Sequence, residues 1–115
     1  MNKIKYQLQE TIKKELNNLL SINYQFIVEG KDADIFQINA VELHTHEKFD
    51  EELRDGNNHL VSLWGIVTVK EKTQNGYVKD NLIFRESNVE IKFDWNIKEF
   101  SINNVGLFRF NKSKI

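Results

Sequence analysis

The chain contains no cysteine and no proline, and only five glycines in 115 residues. Without cysteine there is no disulfide, no thiolate metal centre and no cysteine nucleophile. The fold must be held by its core alone, and a reducing, cytoplasmic location is expected. Without proline, every turn falls to Gly, Asn, Asp or Ser. No apolar run approaches the ~18 residues of a bilayer-crossing helix. The opening segment MNKIKYQLQETIKK is basic but lacks the continuous apolar stretch of a secretory signal, so no membrane association is expected. A large charge of one sign is also missing. Sixteen basic and seventeen acidic residues leave a net charge of −1, which does not favour a nucleic-acid partner. The glycines form neither GxGxxG nor GxxxxGK[ST], and no GxSxG elbow is present. No cofactor is expected.

What is present is an ordinary folded composition, 40% hydrophobic and 29% charged, at the usual size of one domain, residues 1–115. Thirteen lysines against three arginines, with fourteen asparagines and twelve isoleucines, follow AT-rich codons. They suit a low-GC bacterial or phage genome.

Hydrophobic periodicity organises the chain. Ile4, Leu8, Ile12, Leu16 and Leu19 share one stripe at about 100° per residue, which predicts an amphipathic helix over 2–20 with Asn2 as N-cap. From residue 22 the period becomes 2: Ile22, Tyr24, Phe26 and Val28 predict a strand, Gly30-Lys31-Asp32 a turn, and Ile35 to Leu43 a second strand. LVSLWGIVTVKEK (60–72) is apolar on both faces, which predicts a covered central strand or a curved sheet. Asn75-Gly76 predicts a type I′ hairpin, Val78 to Phe84 its return strand, and Arg85 to Asn88 a polar turn. In VEIKFDWNI, Val89, Ile91, Phe93, Trp95 and Ile97 alternate with polar residues, giving one core face. Phe100, Ile102, Phe108 and Phe110 keep one parity, in one strand or two, before the NKSKI tail. The expected class is α+β: an N-terminal amphipathic helix packed on a curved, mostly antiparallel sheet of about six strands. The order of elements resembles that of cystatin-like folds.

The stretch ELHTHEKFDEELRDGNNH (42–59) holds all three histidines and six acidic residues. In a strand His44 and His46 would share a face at about 7 Å, with Glu51 or His59 as a further metal ligand. His44-Thr-His46 followed by Glu51 resembles part of the first motif of the cupin family. That resemblance implies a metal held by His44, His46 and Glu51 in a jelly-roll barrel. No histidine follows His59 to supply the second motif, the proline-glycine turn is missing, and a long helix comes first. The chain is not assigned to the family. Parity also matters: if Val41 and Leu43 face the core, Glu42, His44 and His46 face solvent. The loop then suggests one helical turn, with Asp50 as N-cap, Phe49 and Leu53 four apart, and Gly56 at its end. Trp64, Trp95, Phe84, Phe93 and Phe108 could stack bases, but their strict alternation reads as core packing.

Residues 29–55 carry nine acids and three bases, whereas residues 70–115 carry nine bases and six acids. An acidic rim of Glu42, Glu47, Asp50, Glu51, Glu52 and Asp55 could steer a basic partner. The leading expectation is therefore a small non-enzymatic protein acting through a protein partner, of immunity, antitoxin-like or anti-defence inhibitor type. One alternative is a metal-dependent enzyme using His44, His46, Glu51 and His59. The other is a small-molecule binder in a concavity between helix and sheet, lined by Trp64, Phe93 and Trp95. The apolar stripe of the helix, or an unpaired sheet edge, leaves room for a homodimer.

Overall fold

The computed structural model describes residues 3–30 and 34–112. The Asn2 cap, Lys31 and Asp32 of the expected turn, and the last three residues of the NKSKI tail lie outside them. The chain is α+β, as its periodicities predict. Helix α1 (Lys3–Ser21) packs on a mostly antiparallel six-stranded sheet built from β1 (Val28–Glu29), β2 (Ile35–Leu43), β3 (His59–Thr73), β4 (Gly76–Asp94), β5 (Glu99–Asn103) and β6 (Arg109–Lys112). The strand order is β1-β6-β4-β3-β2, and β5 also pairs with β4; β1 and β6 run parallel. The sheet ends at β1 and β2 and does not close, so the barrel implied by the cupin resemblance does not form.

One face of the sheet is covered. Leu8, Ile12 and Leu16 of α1 are fully buried on it, each worth about 1.5–3 kcal/mol relative to exposure. They meet Ile38, Val41 and Leu43 of β2, the odd-numbered Val61, Leu63, Val67 and Val69 of β3, and Phe84, Ile91, Phe93 and Phe110 in one core cluster. The other face carries Leu60, Trp64, Ile66 and Ile83. Leu60 is 64% exposed and Trp64 38%. The apolar residues on both faces of 60–72 therefore mark a strand covered on one side, not two.

Polar residues of α1 finish the β2 edge. Asn17 donates from Nδ2 to the Ile38 carbonyl at 2.9 Å and accepts from the Ile38 N–H at 3.0 Å. The Leu43 N–H donates to Gln9 Oε1 at 2.9 Å. These side chains stand where a neighbouring strand would, which protects an otherwise open edge. Both features that suggested a dimer, the apolar stripe and this edge, are thus used within the chain.

Several local expectations change. Residues 22–27 are loop, and the strand is only Val28–Glu29. Asn23 takes φ 65° and the Tyr24 N–H donates to the Leu19 carbonyl, a helix-ending arrangement, so Ile22 and Tyr24 are exposed. Gly76 has φ 116° while Asn75 stays out of the left-handed region. The hairpin therefore turns on Gln74-Asn75, and type I′, which needs positive φ at both central residues, does not form. Arg85–Asn88 is not a turn but a bulge inside β4. The strand 89–97 stops at Asp94, whose Oδ1 accepts the N–H groups of Asn96 and Ile97. Trp95 and Ile97 thereby leave the core alternation. The final segment is two strands, separated by a 3-10 turn at Val105–Leu107.

Candidate functional site

The 42–59 stretch does fold into a turn on the sheet. Helix α2 (Phe49–Glu52) runs into a 3-10 turn (Leu53–Asp55). Phe49 and Leu53 are fully buried, and Gly56 ends the turn at φ 73°. Lys48 precedes the helix in place of Asp50, which lies inside it, and makes no side-chain cap. Two buried side chains therefore anchor the segment and turn its carboxylates outward.

Strand β2 ends at Leu43, yet its partner β3 continues. Thr45 takes over the pairing. Its hydroxyl accepts the Trp64 N–H at 2.8 Å and donates to the Trp64 carbonyl at 3.1 Å, while the His44 N–H donates to the same carbonyl at 2.9 Å. Next to it, Gly65 lies so close to β2 that an added Cβ would collide with the Glu42 carbonyl. Trp64 is thus held rigidly on a backbone that tolerates no slack, with its ring on the uncovered face. The His44 ring meets that indole edge-on at 5.3 Å and the His46 ring at 6.4 Å. Glu42 Oε1 is 3.4 Å from His44 Nε2.

Trp64 and His46 share an open concavity of about 530 Å³ with Thr45, Glu47, Lys48, Glu51, Glu52 and Ser62. Three carboxylates against one lysine make it acidic. One oxygen of Glu47 is sealed from solvent with no hydrogen-bond partner, an arrangement rare enough to ask for a donor. No family model matches the chain, nor does any curated protein or solved structure. The groove has an aromatic floor fixed from below and anionic walls, which suit a cationic side chain.

The structure sorts the expected site residues. Glu47, Glu51 and Glu52 of the acidic rim come together with His46 and Trp64. Asp50 is exposed on α2 outside the groove, and Glu42 is exposed on β2 beside His44. Asp55 is exposed and receives the His59 ring at 2.8 Å. His59 has the parity of the core face of β3 and Trp64 that of the open face, so His59 lies across the sheet from His44 and His46. Among the described residues no group of three or more His, Asp or Glu side chains is arranged to hold a metal.

Trp64 lies on the open face of the sheet and Phe93 in the core, so the two do not face one another. Phe93 is core, and Trp95 packs edge-on against it at 4.6 Å while donating from Nε1 to the Leu53 carbonyl at 2.8 Å. Trp95 thereby fastens the α2 turn to the sheet. Phe84 and Phe108 stack on each other inside the core at 5.2 Å, so neither is open to a base. Thr45 and Lys48 are site residues that periodicity alone did not show. The only signal for Thr45 was its position between two histidines at the end of a strand.

Proposed function

We propose that this chain is a small non-enzymatic binding protein of the cytoplasm that acts through a protein partner, as an inhibitor of immunity, antitoxin or anti-defence type. The groove floored by Trp64 receives a basic side chain of that partner. The observation that carries this reading is Trp64 itself: a 38% exposed indole on an uncovered sheet face, clamped by Thr45 and walled by Glu47, Glu51 and Glu52. A rigid aromatic set in a concavity is what interface hot spots are made of. A lysine or arginine over the indole gains about 0.5–2 kcal/mol from the ring, and the surrounding carboxylates steer a basic surface toward it.

The test is capture of partners from cells of the source with tagged wild type, Trp64→Ala and Glu51→Lys/Glu52→Lys. A protein held by wild type and lost by both variants is expected. Association of the isolated partner should slow in the charge-reversed variant and weaken by about tenfold or more in Trp64→Ala. Equal capture by all three proteins would overturn the assignment.

A further inference from the structure

The uncovered sheet face holds a second concavity, of about 830 Å³, on the far side of Trp64. Its lining includes Arg85, Ile83 and Glu86 of β4, Arg109 and Lys112 of β6, and Glu29 of β1, three bases against two acids. Arg85 and Arg109 are directly opposite in the β4–β6 register. Like charges so placed repel, and among the described residues neither guanidinium has an ion pair or hydrogen bond. Two of the three arginines in the chain are therefore set side by side with nothing to hold.

The register decides what they face. Trp64 pairs with Arg85, Ile66 with Ile83, and Leu63 with Glu86. The acidic groove, at the level of Ser62 and Trp64, thus lies at the same height along the strands as the arginines. It sits on the β2 side of β3, whereas the arginines sit on β4 and β6. One face carries an acidic half and a basic half at equal height, joined by an apolar middle of Trp64, Ile66 and Ile83. At this height the surface is complementary to itself under a two-fold axis, whereas Lys70 and Lys79, paired nearer the hairpin, would lie over each other's copies as like charges.

We propose that the open face is covered by a second copy of this chain, related by a two-fold axis parallel to the strands and passing between β3 and β4. Rotation about that axis keeps every residue at its own height and exchanges the two halves. With strands about 4.8 Å apart, β3 of one copy lies over β4 of the other. Trp64 then meets the second copy's Arg85, Ile66 meets Ile83, and Arg109 reaches the groove of Glu51 and Glu52. Each contact occurs twice. Sheets packed face to face in this way keep their strands within about 30° of each other. The pairing requires no residue to leave its place, because the positions are already fixed by the ladder.

Self-association of the purified chain requires no partner and is measured without one. Sedimentation of wild type over a range of concentrations is expected to show twice the 13.6 kDa chain mass. Glu51→Lys/Glu52→Lys and Arg85→Glu/Arg109→Glu should each weaken self-association about tenfold or more. An equimolar mixture of the two variants should restore much of the dimer, since the reversed groove of one then meets the reversed position 109 of the other. That rescue also shows that both variants are folded. The second copy and the partner compete for the groove: Arg85→Glu/Arg109→Glu leaves it intact and uncovered, so this variant should capture the partner at least as well as wild type, whereas the groove variant should not. Wild type that stays monomeric at all concentrations would overturn the proposal, as would two weakened variants that fail to rescue each other.

Discussion

His59 lies in the same short stretch as His44 and His46, yet its ring is engaged elsewhere. It contacts Asp55 Oδ1 at 2.8 Å, and the Asn57 N–H donates to the same oxygen. Both bonds, that of His59 foremost, favour the ionised carboxylate and hold the Asp55 pKa below the ordinary aspartate range. A lowered folded-state pKa stabilises the fold above the unfolded value, and that contribution is lost as pH falls through the folded one. Asp55 is exposed, so the effect is small. Asp55→Asn should therefore melt slightly below wild type near neutral pH, and the two melting temperatures should converge as acid titrates Asp55. A gap that ignores pH would show that the charge is not what holds the pair. At this scale the sequence groups side chains only by proximity along the chain. Parity showed that His44 and His46 leave the core. It could not show that both rings rest on Trp64, because that contact is made across two segments that only the β2–β3 register brings together.

Among the elements, β4 shows most clearly what alternation can and cannot reveal. Leu82 and Phe84 are buried at even positions, while Val89, Ile91 and Phe93 are buried at odd ones. Opposite them, Val61 to Leu63 is a step of two on β3 that spans Val89 to Glu86, three on β4. The inserted residue produces a bulge, with Asn88 at φ 66°, and the parity changes across it. Both halves were legible as strands. The join read as a turn because Arg-Glu-Ser-Asn is polar, and only the continuous ladder to β3 separates a bulge from a turn. Deleting Asn88 alone should therefore only remove the bulge, whereas deleting Ser87 and Asn88 together should be far worse, because the ladder then shifts by one residue. The double deletion would carry Glu90, Lys92 and Asp94 to the core face, at a cost on the order of 5 kcal/mol or more. The chain should then lose cooperative unfolding. Asn88→Gly keeps the left-handed position at no steric cost and should melt within a few degrees of wild type. Thermal unfolding followed by circular dichroism separates these variants, and a double-deletion variant as stable as wild type would refute the parity argument.

Over the whole molecule, the order of helix and strands was enough to give an α+β architecture, since a helical stripe and six alternating segments have few ways to bury their apolar faces. The uneven charge along the chain was also legible, as an acidic first half and a basic second half. What remained hidden was that both halves open on one face: Arg85 and Arg109 are far apart in sequence and meet only through the β4–β6 pairing. This arrangement makes the response to salt informative. If the two halves meet across a two-fold axis, self-association depends on attraction between partly exposed charges. The screening length shrinks from about 10 Å at 0.1 M to about 3 Å at 1 M ionic strength, so the dimer should dissociate progressively as sodium chloride is raised over that range. If the copies were joined only through Trp64, Ile66 and Ile83, salt would leave the association unchanged or strengthen it, because apolar burial is not screened. Sedimentation equilibrium at several salt concentrations distinguishes the two. Loss of the dimer with rising salt in wild type, and not in a version with all four charges neutralised, would place the attraction on Glu51, Glu52, Arg85 and Arg109.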